Sequence, residues 1–159
     1  MELNIAKNTG KPHIILYKRD NGSETWMKAD DFFVHHDLSH FALEKTLHYT
    51  TAFMGMINSG MDIKEFEDRE KRKQLIVTGE AVFAENMANL FLIEIFQGRF
   101  NDFNETVRES FKQMNGKTDP PLLQQHQIDA VRNYILQLIN QWKMLPAGQS
   151  MKLIYNLKP

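Results

Sequence analysis

Residues 13–29 read HIILYKRDNGSETWMKA, and this stretch decides the fold class. Ile14-Ile15-Leu16-Tyr17-Lys18 is rich in residues that suit a pleated, half-buried surface. Asp20-Asn21-Gly22-Ser23 follows, and Asn-Gly is the strongest short hairpin signal because a tight hairpin turn needs positive φ. Glu24 to Ala29, with Thr25, Trp26 and Met27, is then the returning strand. A hairpin alone is marginal in water, so it must find a further strand or a helical layer. Ser150 to Leu157 alternates Met151, Leu153 and Tyr155 with Lys152, Ile154 and Asn156, as a half-buried strand does. Pairing it with the hairpin predicts a small antiparallel sheet of about three strands.

Helices are expected between these strands. One runs from His35 or His36 to Asn58, closed by Ser59-Gly60, with Asp30, Asp31 and Asp37 competing as its N-cap. Between Val34 and Ile57 its only formal charges are Asp37, Glu44 and Lys45, which places it in the domain centre. A short helical turn covers Asp62 to Glu70. The second long helix runs from Gln74 or Thr78 to Phe96, with Ala84, Met87, Ala88, Phe91, Leu92 and Ile95 as its inward stripe. Asn101-Asp102 caps a third, Phe103 to Met114. After the loop Gly116-Lys117-Thr118-Asp119-Pro120-Pro121, a fourth runs from Leu123 to Trp142 and stops at Leu145-Pro146-Ala147-Gly148. The fold class is α+β: one small sheet on about four helices, in a single domain of 159 residues.

Composition narrows the function classes. The net charge of −1 supplies no overall drive toward nucleic acid or anionic membranes. Arg69, Lys71, Arg72 and Lys73 are interleaved with or preceded by Glu65, Glu67, Asp68 and Glu70, the pattern of a solvated face. Cysteine is absent, which removes disulfides, thiolate metal sites and cysteine nucleophiles. Residues 1–7 lack the basic and apolar regions of a signal peptide, and no apolar run approaches the length of a membrane span. The expectation is a cytoplasmic protein whose partner is a small molecule or another protein.

Chemistry concentrates at His36-Asp37-Leu38-Ser39-His40-Phe41-Ala42-Leu43-Glu44. On a helix, His36, His40 and Glu44 fall within an arc of about 80°. Leu43, Leu47 and Met54 share their line. A carboxylate among leucines must be protonated, paired or bound to a cation. Two imidazoles at i, i+4 are how zinc helices of the H-E-x-x-H type hold their metal, and here Asp37 stands in the place of the catalytic Glu. The expected ligands are His36, His40 and Glu44 around a divalent metal, zinc first and iron next. Asp37 is the candidate catalytic base or else the group orienting an imidazole. Three ligands within two turns of one helix close poorly, so His35, His126, Glu80, Glu85 or Glu94 can replace Glu44. Glu85 and Glu94 lie about 180° apart on their helix and cannot share one site.

Two other readings stand beside this one. In the first, His36 bonds a neighbouring loop, His40 is a satisfied core histidine, and Glu44 pairs with a buried arginine such as Arg99 or Arg132. The motif is then a structural network in a non-enzymatic interaction domain. In the second, the same residues line a metal-free small-molecule pocket. A serine hydrolase is excluded, since Ser39 has no strand–turn–helix elbow.

Residues 36–68, HDLSHFALEKTLHYTTAFMGMINSGMDIKEFED, resemble a family of small uncharacterised bacterial proteins. They carry H-D-L-x-H-[FY]-x-x-E, then L-x-x-x-x-x-F-x-G and a G-[WM]-D-[IF] turn, and their opening resembles the Asp20–Ser23 hairpin. The resemblance implies His36, Asp37, His40, Glu44, Gly55, Gly60 and Asp62 as motif positions. It covers under a third of the chain, and Met61 stands where the family often has Trp. The family has no established activity, so the resemblance implies a motif and no reaction. The H-D-x-x-H core is also similar to the zinc motif of ubiquinone-biosynthesis proteins. Their distal Glu falls about twelve residues after the second His, at a position that is Ala52 in this chain.

Overall fold

The computed structural model describes residues 1–67, 79–113 and 119–156. Four strands form one antiparallel sheet: β1 (Glu2–Ala6), β2 (His13–Lys18), β3 (Glu24–Ala29) and β4 (Ser150–Ile154). The order is β3-β2-β1-β4. The hairpin forms where the sequence places it, with Leu16 opposite Trp26 and Tyr17 opposite Thr25. Gly22 supplies the positive φ of 84° that the turn needs.

The sheet has one strand more than expected. β4 pairs with β1 rather than with the hairpin, Leu3 facing both Tyr17 and Leu153. β1 carries just two strongly apolar inward residues, Leu3 and Ile5, both fully buried. Two alternations are too few to stand out in the sequence, yet they suffice when a strand is paired on both sides.

The helices are α1 (Asp31–Leu47), α2 (Phe53–Asn58), α3 (Ile63–Glu67), α4 (Gly79–Gln97), α5 (Phe103–Gln113) and α6 (Gln125–Met144). The α+β class is therefore as read from the sequence. α1 packs between α4 and α6 with the sheet on a further side. Every residue from Asp37 to Glu44 is buried, so α1 is the central helix that its lack of charge implied. The expected starts at Gln74 or Thr78, the turn through Glu70, the ends at Met114 and Leu157, and residues 116–118 of the expected loop lie outside the described residues.

The long helix expected from His35 to Asn58 is different in two respects. It begins earlier, because Asp30, directly after β3, wins the competition among aspartates and accepts the Phe33 N–H at 3.0 Å. It also breaks in two. His48 adopts the left-handed conformation with φ 58°, and the N–H groups of His48 and Tyr49 both return to the Glu44 carbonyl. No glycine, proline or asparagine marks position 48, so the break is imposed by tertiary contacts. Glu80 of α4 accepts hydrogen bonds from the Thr50 and Thr51 N–H groups at 3.0 and 2.7 Å. α2 then folds back so closely that a Cβ on Gly55 would lie 1.9 Å from the Thr50 carbonyl oxygen. Only glycine fits there.

Among the described residues no helix is long and apolar enough to cross a membrane.

Candidate metal centre

The break in the helix creates the surroundings of the site. Ala52, at the N-terminus of α2, offers no side chain to cap it. The Glu44 carboxylate takes that place: its Oε2 accepts the Met54 N–H at 2.9 Å, and the Phe53 N–H also bonds this group. A carboxylate at a helix N-terminus satisfies otherwise orphaned donors and meets the positive end of the helix dipole. Its other oxygen lies 2.9 Å from Nδ1 of His40.

His40 is 1% exposed and presents its second nitrogen, Nε2, to Oε2 of Glu85 on α4 at 3.1 Å. His36, one turn earlier and half-buried, presents its Nε2 to the other oxygen of Glu85 at 3.6 Å. The two imidazoles lie side by side, with ring centroids 4.6 Å apart. Nδ1 of His36 rests 3.3 Å from Oδ1 of Asp37. Asp37 is buried, and its other oxygen accepts the Tyr17 hydroxyl of β2 at 2.5 Å.

One donor atom each from His36, His40 and Glu85 can be chosen so that all three lie within 4.8 Å of one another. Tetrahedral ligands at about 2.1 Å from a zinc ion stand about 3.4 Å apart, so the group closes on an ion with small side-chain shifts. The Glu85 side chain is 53% exposed, and this end of the site therefore opens to solvent. The far nitrogens of both rings point inward, each onto its own buried carboxylate. That is the arrangement by which carboxylates fix the tautomer of metal-ligating histidines.

Protons hold the same groups together when no ion is bound. Burial opposes a charge on His40, but hydrogen bonds to Glu44 and Glu85 outweigh it and push its pKa up to about 10. Burial likewise opposes a charge on His36, and contacts with Asp37 and Glu85 raise its pKa on balance. Glu85 is held far below the usual carboxylate range: partial burial would raise it, but its bonds with His36 and His40 prevail. Burial pushes Glu44 up, against its bonds with His40, Met54 and Phe53. Burial, then the Asp37 charge, raises Tyr17 well above 10, so its hydroxyl stays a donor.

The structure thus brings His36, His40, Asp37 and Glu44 into one connected group, and adds Glu85, one of five outside candidates named from the sequence. The other four lie elsewhere. His35 lies against Phe96, the two rings tilted by 39° with centroids 5.6 Å apart. His126 is exposed on α6. Glu80 clamps the turn at Thr50 and Thr51, and Glu94 pairs with Arg132 at 2.6 and 2.7 Å. The arginine partners suggested for Glu44 are not its partners: Arg132 serves Glu94 and Arg99 is exposed, while Glu44 is satisfied by His40 and by backbone. Ser39 donates to the His35 carbonyl, as a structural serine does. Tyr17 and the Met54 N–H are members that sequence reasoning missed. Tyr17 sits on the inward-facing register of the hairpin, which was a usable signal; the Met54 N–H depends on the helix break, which was not.

The fold and the site define an α+β protein with a possible metal-binding group of two histidines and a glutamate. No family model, curated protein or solved structure matches the chain.

Proposed function

We propose that this protein is a metal-dependent enzyme of the hydrolase or lyase type, with His36 Nε2, His40 Nε2 and Glu85 as ligands of one divalent ion. A single observation carries the reading: both Nε2 atoms converge on the solvent-facing Glu85, while each Nδ1 is held from behind by a buried carboxylate. Two histidines and one carboxylate suit zinc first and non-haem iron next, and leave coordination positions free on the open side. Such an ion would supply a Lewis acid that polarises a carbonyl or phosphoryl oxygen. Glu44, fixed by α2, orients His40 and is not itself a ligand. Asp37 orients His36; its buried position between Tyr17 and His36 favours that role over the catalytic base. Two of the ligands stand on α1, where every residue from Asp37 to Glu44 is buried.

A second reading is supported by one specific feature. All four ring nitrogens already have a carboxylate within hydrogen-bonding or ion-pair distance, so protons alone close the network. In that case the motif is structural and the protein is a non-enzymatic interaction domain. Elemental analysis of protein purified without a histidine tag separates the two. The metal reading expects one equivalent of Zn, Fe, Mn or Ni, lost in the His36→Ala/His40→Ala double variant and weakened in Glu85→Gln. Protein that holds no stoichiometric metal, and whose Tm is unmoved by added metal or by chelator, is the structural network instead.

A further inference from the structure

We infer that Tyr17 is a positioning residue for metal binding, acting through Asp37 to fix the tautomer of His36. This rests on the metal reading above and extends it to the sheet, whose hydroxyl reaches 20 residues along the chain to the site helix. His36 and Asp37 are sequence neighbours, and neighbours on a helix diverge by about 100°. Their contact is long, 3.3 Å, and Asp37 has other side-chain rotamers that would carry Oδ1 away from the ring. What holds it is the 2.5 Å bond from the Tyr17 hydroxyl to Oδ2, made in the buried interior.

Tyr17 is itself tightly placed. It is fully buried, lies in register between Leu3 and Thr25, and meets the Phe53 ring edge-on at 6.2 Å. Its hydroxyl donates to Oδ2, and Oδ1, held in place by that bond, faces Nδ1 of His36 as an acceptor. That leaves Nε2 of His36 facing Glu85, to donate a proton to it when no ion is bound and to offer its lone pair to an ion when one is. His40 needs no such help, because Glu44 is fixed by two backbone N–H groups. The two histidines therefore have equivalent partners of different origin: one carboxylate is set by a helix end, the other by a tyrosine of the sheet. A ligating histidine whose outer partner is disturbed loses metal affinity by about tenfold to a hundredfold.

The test compares wild type, Tyr17→Phe and Asp37→Asn. Zn²⁺ affinity is measured by competition with a chelator, and the His36 tautomer by ¹⁵N NMR of the metal-free protein at a pH where the ring is neutral. Thermal unfolding of the metal-free proteins serves as the control for folding. The expected result is a tenfold to hundredfold weaker Zn²⁺ affinity in both variants, with His36 shifted away from the single Nδ1–H form. A purely structural role would lower Tm and leave the tautomer unchanged. Wild type that binds Zn²⁺ together with variants that bind it within twofold overturns the role of Tyr17 and leaves the metal site standing. Wild type that binds no Zn²⁺ overturns the metal site itself. If Tyr17→Phe does not fold, 3,5-difluorotyrosine placed at position 17, which keeps the ring and alters the hydroxyl as a donor to Asp37, decides on the same two readouts.

Discussion

The protonation of His40 makes a prediction whose sign reverses when metal is added. In the metal-free protein the His40 pKa rises from its ordinary 6.5 to about 10. A group with a raised folded-state pKa contributes stability that is complete below its unfolded pKa and is lost as pH climbs through the folded value. The window is therefore from about pH 6.5 to about 10. Loss of one proton bounds the slope at about 1.4 kcal/mol per pH unit. For a domain of this size 1 kcal/mol is worth about 2–4 °C, so Tm should fall by roughly 3–6 °C per unit in mid-window. The raised pKa values of His36 and Glu44 have the same sign. Glu85, shifted down, contributes stability that is lost only as pH falls below its ordinary 4.5, outside this window. Metal ligation requires neutral imidazoles, so the increment from added Zn²⁺ must grow over the same range. The assay is thermal unfolding of wild type and His40→Gln across the window at constant ionic strength, with chelator and then with Zn²⁺. Parallel chelator profiles for the two proteins would refute the reasoning, because they would show that no proton is bound between His40, Glu44 and Glu85.

Gly55→Ala should destabilise the protein by about 1–3 kcal/mol or more, since its Cβ meets backbone that has little room to move; Gly79→Ala, whose Cβ would meet Phe83 at an ordinary 3.5 Å, is the control for denaturant titration. Arg132→Met alone should cost about 3–5 kcal/mol by stranding the buried Glu94, whereas Arg132→Met with Glu94→Met should recover most of it. Calorimetry of the two variants checks this, and equal losses would mean that the unpaired Glu94 is not what the single substitution costs.

The legible parts of the fold were those carried by local pattern. Asn21-Gly22 between β-forming runs determines the hairpin, and the near absence of charge between Val34 and Ile57 determines which helix is central. β1 was not legible, because its stability comes from two neighbours distant in sequence. Of the site, the four-residue spacing of His36, His40 and Glu44 pointed to the right helix face. It could not show that Glu85 would face both rings, since that depends on how α4 lies beside α1. The position of Glu94 was legible in the negative sense: its separation from Glu85 around α4 excluded a shared site, and the structure gives it to Arg132.

The broken helix explains why Glu44 and Gly55 belong to one device although they lie 11 residues apart. Had the helix run on to Asn58, the Met54 amide would have been spent on an i−4 carbonyl, and Glu44 would have stood among leucines with only His40 to satisfy it. Breaking at His48 costs a left-handed residue without glycine, on the order of 1–2 kcal/mol. It frees the N–H groups of Phe53 and Met54, which would otherwise be orphans of a new helix end. Glu44 takes them, Glu80 takes those of Thr50 and Thr51, and Gly55 lets the two segments approach. Four donors released by the break thus meet a carboxylate, and one of those carboxylates holds His40. The strain at His48 is thereby linked to the orientation of an imidazole. A substitution that straightens the chain at this turn should stabilise the helix locally and loosen His40 at the same time.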